Sequence, residues 1–572
     1  MKRYLGYLKE YKWFCILGAA LKWIEAVLEL LVPLVMARII DVGIAERGSI
    51  GYVLAGGGVM LAMGAVGFGC ALFCQRSASI ASQGFGTNVR NALFRHINTL
   101  SYRELDKIGT ASLVTRTTND VNQMQSAVAM IIRLVVRAPF IAVGAVILCF
   151  VIDWQIGILV CGVAVLVGLV LWIIMHKTVP YYAKNQRKLD RLTQITNENL
   201  EGARVVRAFS RREGERARFT EAADDMLDNS LKIGKISAWL NPLTYAIVNL
   251  GVALILFISG YKVNGNAEFT SGEIIALINY MTQILNAMIV ISNLVSLFTK
   301  AHASMNRVSE VFDMHSSIED GEGVRADLSA PAIEMEGISF SYAGTQQYSL
   351  RDVDIKIERG ETIGIIGGTG SGKSTLVNLL PRLYDASCGT VKVFGHDVRE
   401  YAVKDLRFLF GFVPQSATLF SGTVRSNLSW GKSDATDEEM DEALKTACAY
   451  EFVYEKGGLD EPVNEGGKNF SGGQRQRLTI ARAVVGKPEI LVLDDSCSAL
   501  DFTTDANVRK NIGALRDVTT ILISQRASSI RNADTIYVLE DGKIVGQGKH
   551  DRLYAECALY REICDSQSRV EA

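Results

Sequence analysis

The chain has almost no net charge, no metal-binding spacing of cysteine and histidine, and no stretch that reads as a cleavable leader. Its 572 residues include 60 Lys+Arg and 61 Asp+Glu, a formal charge of −1 that rules out no partner class, so only the local charge pattern is informative. The ten cysteines (Cys15, Cys70, Cys74, Cys149, Cys161, Cys388, Cys448, Cys497, Cys557 and Cys564) are scattered, several of them in apolar runs. Cys70 and Cys74 share a helix face, but no His or further Cys completes a tetrahedral site beside them. That argues against a zinc-type centre and for reduced thiols in a cytosol-facing chain. The start, "MKRYLGYLKEYKW", is polar and basic, and the segment after it is long enough to span a bilayer, which is not how a cleavable signal peptide reads.

What is present in excess is apolar sequence. Hydrophobic residues make up 49% of the chain and mean hydropathy is +0.18; the excess lies in the first 300 residues. A membrane helix needs about 20 mostly apolar residues. Segments 51–74, 154–175, 236–261 and 274–299 carry no charge, and about 130–152 begins with Arg133 and Arg137 and ends at Asp153. About 13–40 is interrupted by Lys22, Glu25 and Glu29. The expectation is therefore six spans. Lys and Arg concentrate in the N-terminus, in 76–126 and in 176–235, whereas 41–50, the turn at Asp153 and 262–273 carry few. The positive-inside rule then puts both termini and both long links in the cytoplasm. The links are rich in helix formers and are expected to extend the membrane helices beyond the bilayer.

After about residue 300 the character changes. A polar helix gives way to an acidic, glycine-containing linker, and from about 332 short β-branched runs ("IEMEGISFSY", "ETIGIIG", "LVLD", "TTILIS", "TIYVLEDGKIVGQG") alternate with helical segments. This is the pattern of an α/β domain with a mainly parallel sheet. The expected division is a helical transmembrane domain over 1–310, a linker over 311–331 and a nucleotide-binding domain over 332–572.

"GGTGSGKST", Gly367–Thr375, follows the strand "TIGIIG" and precedes a helix. Such a turn lets the backbone N–H groups of Gly367, Gly368, Thr369, Gly370, Ser371 and Gly372 and the helix N-terminus cradle phosphates. Lys373 would neutralise the β- and γ-phosphates, the Ser374 hydroxyl would ligate Mg²⁺, and Thr375 closes the motif. "ILVLDD", Ile490–Asp495, is its partner: an apolar strand delivers Asp494 to the Mg²⁺ shell, and Asp495 would face the attacking water.

"NFSGGQRQR", Asn469–Arg477, together with these motifs resembles the signature of ABC ATPases, with Phe470 where that family usually has Leu. Ser471, Gly472, Gly473 and Gln474 precede a helix and form a second N–H cradle. Gln415 in "FVPQ" matches the family's Q-loop, placing it among the Mg²⁺ and water contacts; Asp501 in "SALD" matches the D-loop, and Tyr342 in "SFSYAG" the aromatic that stacks on adenine. With six spans ahead of one such domain, nearly the whole chain resembles an ABC exporter half-transporter. The resemblance implies two halves that sandwich two ATPs, each held by the phosphate loop of one half and the signature of the other. It implies ATP and Mg²⁺ as cofactors, the lipid bilayer and an amphipathic drug, lipid or peptide as partners, no nucleic acid, and a bacterial plasma-membrane location. No peptidase-like Cys/His segment is seen at the N-terminus, so coupled leader-peptide cleavage is not expected.

Two positions depart from the pattern of hydrolysing members. Asp495 stands where Glu is usual, and Gln525 in "ILISQRAS" stands where the switch His is usual. A carboxylate retracted by one bond holds its water poorly, and a misplacement near 1 Å costs roughly 100-fold in rate. Gln bonds a γ-phosphate without carrying charge. The pair resembles the degenerate site of heterodimeric exporters: Asp495, Gln525, Gln415 and Lys373 would bind ATP and hydrolyse it slowly, while Ser471–Gln474 completes the active site of another half. A homodimeric exporter, an exporter-fold importer of metal chelates and an ATP-gated regulator or channel stand as alternatives.

In the membrane half, Lys22, Glu25 and Glu29 share a helix face and are expected to pair with one another or with Arg133 or Arg137. Asn279, Asn286 and Asn293 recur every seven residues, with Thr282 and Ser296 nearby and Asn241 and Asn249 in the preceding span. Such a stripe avoids lipid, facing either neighbouring helices or a substrate cavity. The resemblance also implies two short coupling helices, expected around 103–113 and 205–214.

Overall fold

The computed structural model describes residues 2–264, 269–342, 345, 347–496, 500–515 and 517–571. Cys497, and Ser498 and Ala499 of the "SALD" run, lie outside the described residues, as does the side chain of Ser296. Two compact units emerge: Met1–Asn98 with Ala111–Asp313, and Thr99–Thr110 with Met314–Ala572.

The first unit is helical. Ile50–Ile97 and Trp154–Glu201 are each 48 residues long and Ser271–Phe312 is 42. At 1.5 Å per residue a 48-residue helix is about 72 Å long, more than twice a hydrocarbon core of about 30 Å. The basic links are thus continuations of the membrane helices, as expected. Two starts are set by caps: Asp153 accepts from the N–H groups of Gln155 (2.9 Å) and Ile156 (3.0 Å), and Thr270 forms a reciprocal capping box with Glu273.

Among the described residues, five helices are long and apolar enough to cross a membrane: Ile50–Ile97, Thr110–Ile152, Trp154–Glu201, Arg212–Lys262 and Ser271–Phe312. The sixth expected span forms the 27-residue helix Lys12–Arg38, whose charges set it apart from these. Those charges are paired. Lys22 Nζ donates to Glu25 Oε1 at 2.7 Å, and Arg137 Nη2 donates to Glu29 Oε2 at 2.6 Å. Ala26, Leu30, Ile141, Ile156, Val160, Tyr280 and Met281 build the core between these helices.

The second unit holds the sheets. Six strands lie in the order Lys543–Gly548, Thr535–Glu540, Thr362–Gly367, Thr519–Ile523, Ile490–Asp494 and Phe410–Val413. All neighbours are parallel except the first pair. Every residue of Ile490–Asp494 is buried, which is why it reads as an unbroken apolar run. The mainly parallel reading holds for this sheet only. "IEMEGISF" enters a separate four-stranded antiparallel sheet, Leu350–Ile357, Ile333–Phe340, Cys388–Val393 and His396–Asp397, in which Ile333, Met335, Ile338 and Phe340 are its buried residues. The acidic segment after Asp313 is held against the chain at 394–401: Gly321 N donates to Tyr401 O and Gly323 N to Glu400 O, each at 3.0 Å, and Asp327 N to Phe394 O at 3.2 Å.

Candidate nucleotide site

The C-terminal ends of the parallel strands gather the phosphate-loop residues in one cleft of about 320 Å³. Tyr342, Ser349, Thr369, Gly370, Gly372, Lys373, Ser374, Thr375, Gln415, Asp494, Asp495, Ile523 and Gln525 line it. This is where ligands collect in open α/β sheets. Gly372 carries the turn into the helix Lys373–Leu379 at φ +101°, where a Cβ would also meet the Ser349 carbonyl at 2.6 Å. A Cβ on Gly367 would meet the Leu539 carbonyl at 2.1 Å. Only glycine allows these approaches.

Lys373 is buried, with Nζ donating to the carbonyls of Gly367 (2.9 Å) and Gly368 (2.7 Å) and to Ser371 Oγ (3.3 Å). Burial pulls its pKa down, and the charges of Asp495 and Asp494 pull it back up. Ser374 Oγ donates to Asp494 Oδ1 at 3.0 Å. Two hard oxygens at this spacing, with Gln415 in the same cleft, are a donor set that suits Mg²⁺. Burial pushes the Asp494 carboxyl up, opposed by the Ser374 hydrogen bond and reinforced by the neighbouring Asp495. Burial likewise raises Asp495, opposed by hydrogen bonds from Gln525 and Gln415 and by the charges of Lys373 and Arg526. A site that unsettles the ionised form of three groups is suited to a ligand that brings charge of its own.

Asp495 lies at φ +44°, in the left-handed region, which Asp tolerates better than most non-glycine residues. Its side chain meets Gln525: Nε2 donates to Asp495 Oδ2 at 3.3 Å. Tyr342 joins the same wall, its hydroxyl 3.0 Å from Thr375 Oγ1 and its ring edge-on to Phe340 and Tyr384.

The signature residues are elsewhere. Ser471 caps the helix Gly472–Val484 through a capping box with Gln474 (Ser471 N to Gln474 Oε1, 3.0 Å), and none of Ser471–Gln474 lines the cleft. Ser471 and Gly472 are exposed. Phe470, in place of Leu, is buried against Phe452. Asp501 caps the helix Phe502–Gly513, accepting from Thr504 N at 3.0 Å, and is also outside the cleft lining.

Several features were not legible in the sequence. Helix Tyr102–Ile108, the first part of the 103–113 stretch, belongs to the second unit, while the rest of that stretch enters helix Thr110–Thr115. Tyr384 Oη donates to Asp106 Oδ2 at 2.6 Å, and Tyr384 also stacks obliquely on Tyr102. The other expected coupling stretch holds helix Ala203–Ala208 and a tight turn at Ser210 (φ +54°) in the first unit. Finally, Gln567 near the C-terminus bonds the backbone on both sides of Arg526. It stands 42 residues beyond Gln525 in a helix without a motif, so no pattern marks it.

In the first unit, Arg133 behaves differently from Arg137. Its Nη2 donates to Ser79 Oγ at 3.0 Å, its Nε is buried without a hydrogen-bond partner, and no carboxylate among the described residues forms an ion pair with it. The expected pairing of Lys22, Glu25 and Glu29 therefore involves Arg137 and not Arg133, because Arg137 already satisfies Glu29. The side chains of Asn241, Asn249, Asn279, Thr282, Asn286 and Asn293 are exposed and so turned away from the helices of their own unit.

Comparison with known proteins places these features. The family "ABC transporter transmembrane region" matches residues 15–288, and the family "ABC transporter" matches residues 350–498. An uncharacterised ABC transporter ATP-binding protein of Bacillus subtilis, YfiB, is 34% identical over 99% of this chain and 98% of its own length. A putative multidrug export ATP-binding/permease protein of the same organism, YgaD, is 30% identical over 99% of each chain. An ATP-dependent lipid A-core flippase of Syntrophus aciditrophicus is 32% identical over 88% of this chain and 84% of its own. Among solved structures, a bacterial Atm1-family ABC exporter with ATP bound shares the fold at a TM-score of 0.79 over 97% of this chain and 98% of that one, at 24% identity.

Proposed function

Since the chain belongs to the ABC transporter family as a half-transporter, with one transmembrane domain and one ATPase domain, we propose that it works as half of an asymmetric pair. The ATPase is coupled to transport, and the fold is that of an exporter. The proposal is that this chain's own cleft holds ATP and hydrolyses it slowly, while its Ser471–Gln474 helix end, exposed at Ser471 and Gly472, serves the cleft of a second, homologous half. The observation that carries it is the Asp495–Gln525 contact: two shortened or uncharged groups bonded to each other at the position where the attacking water is otherwise handled.

In this reading the chain's residues act as follows. The Thr369–Gly372 turn and the N-terminus of helix Lys373–Leu379 supply N–H donors to the β- and γ-phosphates. Lys373 exchanges its carbonyl partners for phosphate oxygens, which restores the charge that burial disfavours. Ser374 and Asp494, with Gln415, would hold Mg²⁺, which supplies charge neutralisation on the phosphate oxygens when bound. Tyr342 presents its ring to the adenine. Asp495 is drawn toward Gln525 and away from an in-line water, so binding and occlusion outlast hydrolysis. Closure around ATP drives alternating access, and hydrolysis in the partner's cleft resets it.

For the cargo, the exposed stripe Asn279, Thr282, Asn286 and Asn293 supports a wetted pathway, since a polar helix face turned away from its own bundle is costly against lipid. Arg133, a guanidinium in an apolar span without a carboxylate partner among the described residues, favours an amphiphile with an anionic group. Insertion scales put such a charge at about 2.5–3.5 kcal/mol. The N-terminus, both long links and the ATPase domain lie in the cytoplasm by the distribution of Lys and Arg.

The test is ATP-dependent accumulation of fluorescent phospholipid and drug analogues in inverted vesicles containing the chain with a complete homologous half. Uptake that needs both ATP and the pair supports the reading. Uptake by this chain alone at the same rate contradicts it.

A further inference from the structure

The loop after strand Thr519–Ile523 carries Gln525 into the cleft, and its backbone is held from outside by the C-terminal helix Ala558–Glu571. The carboxamide of Gln567 makes both bonds. Its Nε2 donates to the carbonyl of Gln525 at 2.7 Å, and its Oε1 accepts from the N–H of Ala527 at 2.8 Å. One planar group thus spans the two peptide units on either side of Arg526. Other supports of the loop come from Arg526 N, which donates to Ser524 Oγ at 3.0 Å, from Ser524 N, which donates to Ile365 O at 3.1 Å, from Asp495 N, which donates to Ile523 O at 3.0 Å, and from the Arg526 guanidinium over the Phe502 ring.

The helix that presents Gln567 is itself anchored. Tyr560 is fully buried, with its hydroxyl 2.9 Å from His550 Nδ1. Ile563 and Cys564 pack on the cluster of Ile530, Ile536 and Val538, behind the strand that neighbours the phosphate-loop strand. Cys564 and Gln567 are three residues apart, so anchor and clip share a helix face. The contacts run from a packed helix through the Gln567 amide to the loop backbone, and from the Gln525 side chain to Asp495.

We propose that Gln567 is a positioning residue for ATP hydrolysis: it sets the switch loop so that the side chain at 525 reaches Asp495. The inference rests on the proposed nucleotide site. Because both hydrogen bonds of Gln567 go to backbone, its effect does not depend on whether residue 525 is Gln or His. Nucleotide affinity is set by the phosphate loop, which Gln567 does not touch, so turnover and affinity should separate.

The experiment is single-turnover hydrolysis by the purified full-length chain in lipid nanodiscs, protein in excess over labelled ATP, so that every event occurs in this chain's own type of cleft. Gln567→Met keeps the length and removes both bonds, and Gln567→Glu keeps the acceptor for Ala527 while losing the donor to Gln525. The expected result is a fall of about tenfold in the rate for Gln567→Met and a smaller fall for Gln567→Glu, with half-saturating ATP within about twofold of wild type. Faster hydrogen exchange at the Ala527 amide should accompany the loss in Gln567→Met. Equal rates in wild type and both variants, with ATP bound in each, overturn the role of Gln567 and leave the nucleotide site standing. A wild-type chain that binds no ATP overturns the nucleotide site and this inference with it. Parallel loss of rate and affinity in Gln567→Glu also overturns it, since that pattern is loss of structure and not of positioning.

Discussion

The carboxamide of Gln525 donates to Asp495 Oδ2 at 3.3 Å, across the mouth of a cleft that otherwise contains the parts a phosphate-loop ATPase needs. On the proposed reading, the bond between these two side chains draws one carboxylate oxygen of Asp495 away from the attacking water. It also leaves the ligand-binding groups Lys373, Ser374 and Asp494 untouched. On that reading binding and hydrolysis are separable in this site, and each can be tested alone.

Ser374→Ala removes the hydroxyl of the 3.0 Å pair, and Asp494→Asn removes its negative charge. The expected outcome is loss of the Mg²⁺-dependent part of ATP affinity, about 10- to 100-fold by equilibrium binding, with little change in binding measured in EDTA. An equal loss with and without the ion would mean that these residues serve the fold of the loop instead.

The raised carboxyls of Asp494 and Asp495 have a pH consequence of known sign. Each holds its proton to higher pH in the folded chain than in the unfolded one. Native-state proton binding then exceeds unfolded-state binding, so the contribution to stability is complete below the ordinary Asp pKa of about 3.9 and is lost as pH rises through the raised values. Without nucleotide, Asp494→Asn should melt higher than wild type near neutral pH, with the gap narrowing as pH falls and wild type takes up its proton. Mg²⁺-dependent ATP binding should weaken over the same fall in pH. A gap constant with pH would count against the buried ionised carboxylate.

Tyr384→Phe deletes the 2.6 Å hydrogen bond to Asp106 and keeps the ring beside Tyr342. Cargo-stimulated ATPase in the assembled transporter should fall about threefold, with the ATP concentration at half-maximal rate unchanged. The bond is partly exposed, so the folded domain should melt within about 2 °C of wild type.

Arg133→Gln keeps a hydrogen-bond donor for Ser79 and removes the charge. Transport of an anionic amphiphile should drop about tenfold relative to a neutral one of similar size. Arg137→Gln should instead lower stability, because Glu29 loses its partner at 2.6 Å. Unchanged preference in Arg133→Gln would show that the charge serves packing.

Much of this molecule was legible because its chemistry is local in sequence. The run Gly367–Thr375 is contiguous, and its glycines are demanded by close approaches to Ser349 and Leu539. Charge-free runs exposed the long helices. What was not legible depends on distant partners. Lys22, Glu25 and Glu29 had two candidate arginines, and only packing chose Arg137. The strand Ile333–Phe340 joined a second, antiparallel sheet because its partners, Leu350–Ile357 and Cys388–Val393, come from either side of the phosphate loop. Tyr384–Asp106 spans 278 residues and Gln567–Gln525 spans 42, with no periodicity to announce either.

The central claim is that this chain's cleft retains ATP and leaves turnover to a partner. It is tested most directly by ATPase rates of the purified chain alone and with a homologous half that carries Glu and His, each with Asp495→Glu plus Gln525→His in this chain. The account predicts slow hydrolysis by the chain alone and a rise of about 10- to 100-fold on the double substitution. It also predicts fast hydrolysis by the pair that survives Asp495→Ala but not removal of the partner's Glu. Fast hydrolysis by the chain alone, abolished by Asp495→Ala, would make Asp495 a working base and contradict the account.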